Sequence, residues 1–129
     1  MTRRVLVTGA ARGIGADLAR RFAADGAQLA LLDVLDASSV AAELGAVAVS
    51  CDLADPAATE EATSKAIAQL GGIDVLVNNA GVFQITPLLE ITPAEWDRTM
   101  AINARAMLVT TQVAARVMID QGTGGRIIN

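Results

Sequence analysis

The sequence predicts an α/β domain: a doubly wound parallel sheet with helices on both faces. Three observations carry that prediction. Apolar strand-like runs alternate with helical patterns along the whole chain, which implies right-handed βαβ crossovers. The runs are almost uniformly apolar rather than alternating, as in strands covered on both faces. A glycine-rich turn, Thr8-Gly9-Ala10-Ala11-Arg12-Gly13-Ile14-Gly15, joins the first run to the first helix.

The elements follow in order. Residues 4–7 form the first strand and residues 13–24 the first helix, with Ile14, Leu18, Ala19 and Phe22 at helical spacing. Asp25-Gly26 ends that helix, the glycine suiting the left-handed position past its last turn. Residues 28–33 give a second strand, residues 39–44 a short helix stopped by Gly45, and residues 46–50 a third strand. Asp55-Pro56 opens a helix to Leu70, with aspartate as N-cap and proline at the first helical position. Residues 73–77 form the fourth strand. A longer loop, residues 81–92, precedes Thr92-Pro93-Ala94-Glu95, which has the spacing of a capping box. Helix then runs towards Gln121, in two pieces joined near residues 100–103. Residues 122–125 turn the chain into a fifth strand at residues 126–128. Strand order 3-2-1-4-5 places a ligand crevice at the carboxyl ends of strands one and four.

Composition narrows the class. With 129 residues, of which 53% are hydrophobic, a single domain over residues 1–129 is expected. Ten basic and fourteen acidic residues give a net charge of −4, without a basic, aromatic-interleaved run for nucleic acid. No apolar stretch approaches the ~20 residues of a membrane helix. The single cysteine, Cys51, suits a reducing compartment and reads as a small buried hydrophobe. A chain with no histidine and one cysteine offers no ligand set for structural zinc, and no acidic cluster points to another metal. A cytoplasmic protein is expected.

The glycine turn is an anion site by construction. Main-chain N–H groups converge at a helix N-terminus, and glycine lets a diphosphate or a neighbouring element approach closely. Its spacing, G-x-x-x-G-x-G, departs from the G-x-G-x-x-G of the usual Rossmann fingerprint. Asp33 ends the second strand eighteen residues after Gly15, where a carboxylate can accept from both hydroxyls of a ribose. The same charge repels a 2′-phosphate, so NAD is favoured over NADP. Arg12 argues the other way, if it meets a phosphate rather than solvent.

Thr8-Gly9-x-x-x-Gly13-Ile14-Gly15 resembles the cofactor loop of the short-chain dehydrogenase/reductase family, and Asn78-Asn79-Ala80-Gly81 resembles that family's second signature. Asp33, Asp52-Leu53 and Asn103 match further family positions in the same order. The resemblance implies a Rossmann-type fold and an NAD(P)-dependent enzyme that moves hydride between nicotinamide and an alcohol or carbonyl compound. It implies that Thr8, Gly9, Arg12, Gly13, Ile14, Gly15, Asp33, Asp52, Leu53, Asn79, Ala80 and Gly81 bind the cofactor. Asp52 would reach the adenine amino group and Leu53 back the ring, while Asn78 and Asn79 are divided between structure and binding. Asn103 would hold a water in a proton relay, its competing role being a polar residue at a helix kink.

Residues 83–92 look somewhat like polyol dehydrogenases, although 3-oxoacyl reductases share the upstream motifs. Phe83 is equally a pocket residue or not. Trp96 is expected to pack on its neighbours, and Arg105 and Arg116 to be exposed. The family's serine and Tyr-x-x-x-Lys would lie beyond Asn129, and the sequence holds no tyrosine. The resemblance therefore implies a sheet truncated after its fifth strand and a complete protein that is a homo-oligomer, dimer or tetramer. The 129 residues alone are expected to be inactive and prone to associate through the uncovered edge at residues 126–128. The competing reading is a nucleotide-binding module without chemistry.

Overall fold

The computed structural model describes residues 2–129; Met1 lies outside the described residues. Five strands, β1 (Arg4–Thr8), β2 (Gln28–Asp33), β3 (Val47–Ser50), β4 (Val75–Val77) and β5 (Arg126–Ile128), form one sheet in the order β3-β2-β1-β4-β5. All four pairings are parallel, with Val5 opposite Leu29 on one side and Val75 on the other. This is the Rossmann-type architecture and the strand order that the alternation predicts. The helices are α1 (Gly13–Ala24), α2 (Ser38–Leu44), α3 (Pro56–Leu70), α4 (Pro93–Met100) and α5 (Ala106–Gln121). Among the described residues no helix is long and apolar enough to cross a membrane.

Two cores flank the sheet. Strand side chains alternate, so Leu6, Ala30, Leu32 and Leu76 face α3 and α5, packing with Ala66, Ile67, Ala114 and Met118. Val5, Val7, Leu29, Leu31 and Val77 face the other way, against Ala16 and Ala19 of α1 and Val40 and Ala41 of α2. The uniformly apolar strands thus serve both layers at once. Cys51 is buried in the first core, and burial pushes its thiol up from the ordinary range. The caps follow the sequence signals. Asp55 accepts from the N–H groups of Ala57 and Ala58, with Pro56 beginning α3. Thr92 and Glu95 complete a capping box on α4.

Three expectations are corrected. Ile14 is 73% exposed and takes no part in the buried face of α1, which Gly15, Ala16 and Ala19 carry while Leu18 and Phe22 are partly buried. Residues small enough to let helix and sheet approach matter more there than apolar bulk. Trp96 is 60% exposed on the first turn of α4 rather than packed on its neighbours. The fourth strand is shorter than residues 73–77: only Val75–Val77 pairs on both sides. Ile73 is held instead by Gln121, whose side-chain amide accepts from the Ile73 N–H at 2.9 Å and donates to its carbonyl at 2.8 Å. That amide stands in for a neighbouring peptide group.

Asp74 faces Arg4 across the entry to β4 and β1. Its Oδ1 accepts from Nη2 at 2.8 Å, and its Oδ2 accepts from Nε at 3.0 Å and from the Arg4 N–H at 2.8 Å. The guanidinium holds the Asp74 carboxyl below its ordinary value of 3.8. A depressed carboxyl contributes stability that is present above the unfolded value and lost as pH falls through the folded one. We therefore expect Asp74→Ala to cost roughly 1–2 kcal/mol at pH 7, a geometry better than an ordinary exposed pair. The gap between variant and wild type should narrow below about pH 4. Urea unfolding at pH 7 and at pH 2.5 checks this; a gap that stays constant between the two rules out the ionic origin.

Candidate functional site

The carboxyl ends of β1 and β4 are where crossovers diverge, α1 to one face of the sheet and the following helices to the other. A crevice of about 260 Å³ opens there, just below the usual range for ligand clefts. Its walls include Gly9 and Arg12 from the glycine turn, Asp33, Val34 and Leu35 after β2, and Cys51, Asp52 and Leu53 after β3. Asn79, Ala80, Gly81 and Val82 after β4, with Arg98 and Ile102, complete it.

Each glycine of the turn has its own reason. Gly9 has φ +65°, and a Cβ there would lie 2.8 Å from the Ala80 Cα. Gly13 has φ +56° with nothing within 4 Å of a Cβ, so its requirement is conformational and the space beside it is open. Gly15 is helical, yet a Cβ would overlap the Gly9 carbonyl oxygen and lie 2.6 Å from Asn79 Nδ2. The turn is folded back on α1 and β4 more tightly than any side chain allows. α1 then begins with Arg12 at its N-cap position and no side chain bonded to its first turn. Uncapped N–H groups at an open glycine turn are what a diphosphate needs, so the chain's own residues fit such a group.

Thr8 and Asn79 fasten this turn to β4. The Thr8 hydroxyl accepts from the N–H groups of Asn79 and Ala80 at 3.1 and 3.0 Å and donates to the Val77 carbonyl. Asn79 Nδ2 donates to the carbonyls of Thr8 and Gly9 at 3.0 and 3.1 Å. Asn78 is structural: its amide donates to Asn129 at 2.8 Å and to Thr111, and accepts from the buried Thr110 hydroxyl at 2.7 Å. Asn78 thereby joins β4 to α5 and to the end of β5.

Asp33 is almost buried. Oδ2 accepts from the Ala11 N–H and Oδ1 from the Leu35 N–H, each at 2.9 Å. Both oxygens keep lone pairs for further donors. Asp52 Oδ1 accepts from the Ala54 N–H at 3.0 Å, and its Oδ2 lies 3.5 Å from Arg98 Nη1. Arg12 is exposed and, among the described residues, has no carboxylate within 4.0 Å.

Asn103 stands in a π-helical turn, Ala101–Arg105, between α4 and α5, where the sequence predicts an irregularity. Such turns recur at functional sites. Its amide binds both main-chain groups of one residue: Oδ1 accepts from the Val82 N–H and Nδ2 donates to the Val82 carbonyl, both at 2.8 Å. It fixes the segment leaving the crevice.

Of the sequence-derived cofactor residues, Gly9, Arg12, Asp33, Asp52, Leu53, Asn79, Ala80 and Gly81 line the crevice together. Thr8, Gly13, Ile14 and Gly15 frame the turn from behind or beside it. Sequence reasoning missed Arg98, Ile102, Val34, Leu35, Cys51 and Val82. For Arg98 and Ile102 the available signal is their spacing of four on the helix that the capping box opens. Phe83 is 88% exposed and does not line the crevice. Arg105 is exposed as expected, yet it also donates to the Ala54 carbonyl at 2.6 Å.

A parallel sheet whose switch point carries an open glycine turn defines an α/β protein of the Rossmann type. The model of the short chain dehydrogenase family matches residues 3–129, and the chain belongs to that family. It is 42% identical over 128 residues to a sorbitol dehydrogenase of Cereibacter sphaeroides, covering 96% of this chain and 50% of that protein. It is 40% identical over 131 residues to a D-threitol dehydrogenase of Mycolicibacterium smegmatis, covering 96% and 50%. Among solved structures it superposes with a TM-score of 0.88 and 44% identity on a blue fluorescent protein from a metagenomic library in complex with NADPH, covering 98% of this chain and 54% of that one. The chain thus spans about half the length of the curated relatives it matches.

The Gly15 geometry generates a test of sign. Alanine inside a helix ordinarily gains about 0.5–1 kcal/mol over glycine. Gly15→Ala should instead lower the melting temperature, because its methyl group meets the Gly9 carbonyl. An unchanged or raised melting temperature would show that the turn does not pack as described.

Proposed function

We propose that this chain forms the dinucleotide-binding part of an NAD(P)-dependent oxidoreductase acting on an alcohol or carbonyl substrate, with polyols or secondary alcohols favoured. The observation that carries the reading is the open glycine turn pinned against Asn79 at the β1–β4 switch point. When bound, the nicotinamide cofactor supplies hydride chemistry: an alcohol carbon yields hydride and its hydroxyl yields a proton, leaving a carbonyl compound and reduced nicotinamide. The protein's own part is to bind and orient. Gly9, Gly13 and the first turn of α1 receive the diphosphate, with Arg12 beside it. Asp33 accepts from the ribose hydroxyls. Asp52 and Leu53 face the adenine, and Ala80 and Gly81 leave room for the chain of the cofactor.

Asn103 is proposed to hold a water in a proton relay. Its side-chain amide bridges the main-chain groups of Val82 and keeps one N–H and one lone pair for that water. The polyol preference draws support from the names of the two curated relatives, one a sorbitol and one a D-threitol dehydrogenase. The single cysteine accompanies a cytoplasmic reading, and the complete protein is proposed to be a homo-oligomer, a state that light scattering reads directly.

For the cofactor we propose NAD over NADP, on the ground of the nearly buried Asp33 carboxylate. The relative of known structure bound to NADPH makes this a real choice within the family. Asp33→Ala is expected to weaken NAD binding roughly tenfold or more, as loss of charge-assisted hydrogen bonds does, and to narrow the advantage over NADP. Titration of the wild-type protein with both cofactors decides the matter. Tighter binding of NADP by wild type would mean that Arg12, not Asp33, sets the preference, and binding of neither would remove the dinucleotide reading itself.

A further inference from the structure

We propose that Arg98 is a positioning residue for the adenosine half of the dinucleotide, closing over the purine from α4 while tethered to Asp52; this rests on the dinucleotide reading above. Arg98 and Ile102 stand four residues apart, on the same side of the helical segment, and both line the crevice. Arg98 reaches across its mouth to Asp52, with Nη1 3.5 Å from Oδ2. That spacing is loose for a charge-assisted hydrogen bond, which closes to about 2.7–2.9 Å. Both side chains are about half exposed, so the guanidinium is free to reorient around its partner without leaving it. Asp52 is itself anchored, because Oδ1 is spent on the Ala54 N–H.

Apolar side chains line the crevice as well. Val34 and Leu35 follow β2, Leu53 follows β3, and Ile102 stands in the π turn. Apolar walls around a slot, closed at one rim by a planar cation, suit a flat heteroaromatic ring. A guanidinium stacks on such a face, which an ammonium does far less well. Asp52 Oδ2 lies at the same rim, where it can accept from an exocyclic amino group. The carboxylate thus orients the ring edge and Arg98 covers its face. Among the described residues the other cation lining the crevice is Arg12, on the glycine turn.

The test compares three probes with the full protein: NADH, ADP-ribose, and reduced nicotinamide mononucleotide, which lacks adenosine. Arg98→Met keeps the length and apolar stem of the side chain but loses the plane and charge. It should weaken NADH and ADP-ribose by about three- to tenfold and leave the mononucleotide unchanged. Arg98→Lys keeps the charge without the plane and should show most of the same loss. The proposal is overturned if Arg98→Met binds ADP-ribose as wild type does, if the mononucleotide loses as much, or if Arg98→Lys binds ADP-ribose as wild type. Wild type that binds ADP-ribose while the variants match it removes Arg98 alone. Wild type that binds none of the three removes the dinucleotide reading and this inference with it.

Discussion

The contact between the glycine turn and the end of β4 is the constraint on which the rest of the site depends. Parallel strands lose their ladder where crossovers depart, and here that departure point must stay open on one side while remaining closed on the other. Thr8 and Asn79 achieve the closed side. One hydroxyl accepts two main-chain N–H groups, and one amide donates to two main-chain carbonyls. Those bonds bring Gly9, Gly15 and Ala80 so near one another that a Cβ on Gly9 or Gly15 would collide with its neighbours. The open side is the start of α1, where no side chain caps the helix N-terminus beside the crevice.

The short interior strand β4 makes a second demand. β4 pairs on both sides over three residues only, yet it must carry Asn78 to Val82 to the crevice at a fixed height. Side-chain amides extend its hold in both directions. Gln121 at the end of α5 brackets Ile73 before the strand, and Asn103 in the π turn brackets Val82 beyond it. In each case one amide group satisfies both the donor and the acceptor of a single residue, as a neighbouring strand would. Asn78 completes the set by joining α5 and the end of β5. Thus α5 does more than cover the sheet. The π turn that leads into it and its own last turn hold the two ends of β4, so an error in its position would move the crevice.

The division between what was legible in the sequence and what was not follows from this chemistry. Elements were legible because burial on both faces imposes apolar strands, and because Asp55-Pro56 and Thr92-Glu95 mark helix starts with side chains of definite reach. The glycine turn and Asn78–Gly81 were legible as motifs. Ile14 was misread because periodicity counts apolar residues, while the approach of α1 to the sheet selects small ones. The length of β4 was misread because Gln121 lies forty-eight residues from Ile73, and a side chain imitating a peptide leaves no spacing signal. Arg98 escaped for a related reason. An arginine on an amphipathic helix looks like any solvated charge until Asp52 is found opposite it.

Asp33 shows how a structural duty sharpens a binding one. An exposed carboxylate could swing away from an approaching 2′-phosphate and so discriminate poorly. This one is held by the Ala11 N–H on one oxygen and by the Leu35 N–H on the other, and it is nearly out of solvent. Leaving that position would break two charge-assisted bonds and loosen the glycine turn at Ala11. A phosphate must therefore meet the charge where it stands, and two unit charges 4 Å apart at an effective dielectric of 20 repel by about 4 kcal/mol. Arg12 is the cation on the glycine turn that could offset this, and it is tied to no carboxylate among the described residues. Being exposed, its charge acts through water and is screened, whereas the Asp33 charge acts across a drier gap. The preference proposed for NAD rests on that contrast: a carboxylate held by two main-chain N–H groups against an exposed guanidinium.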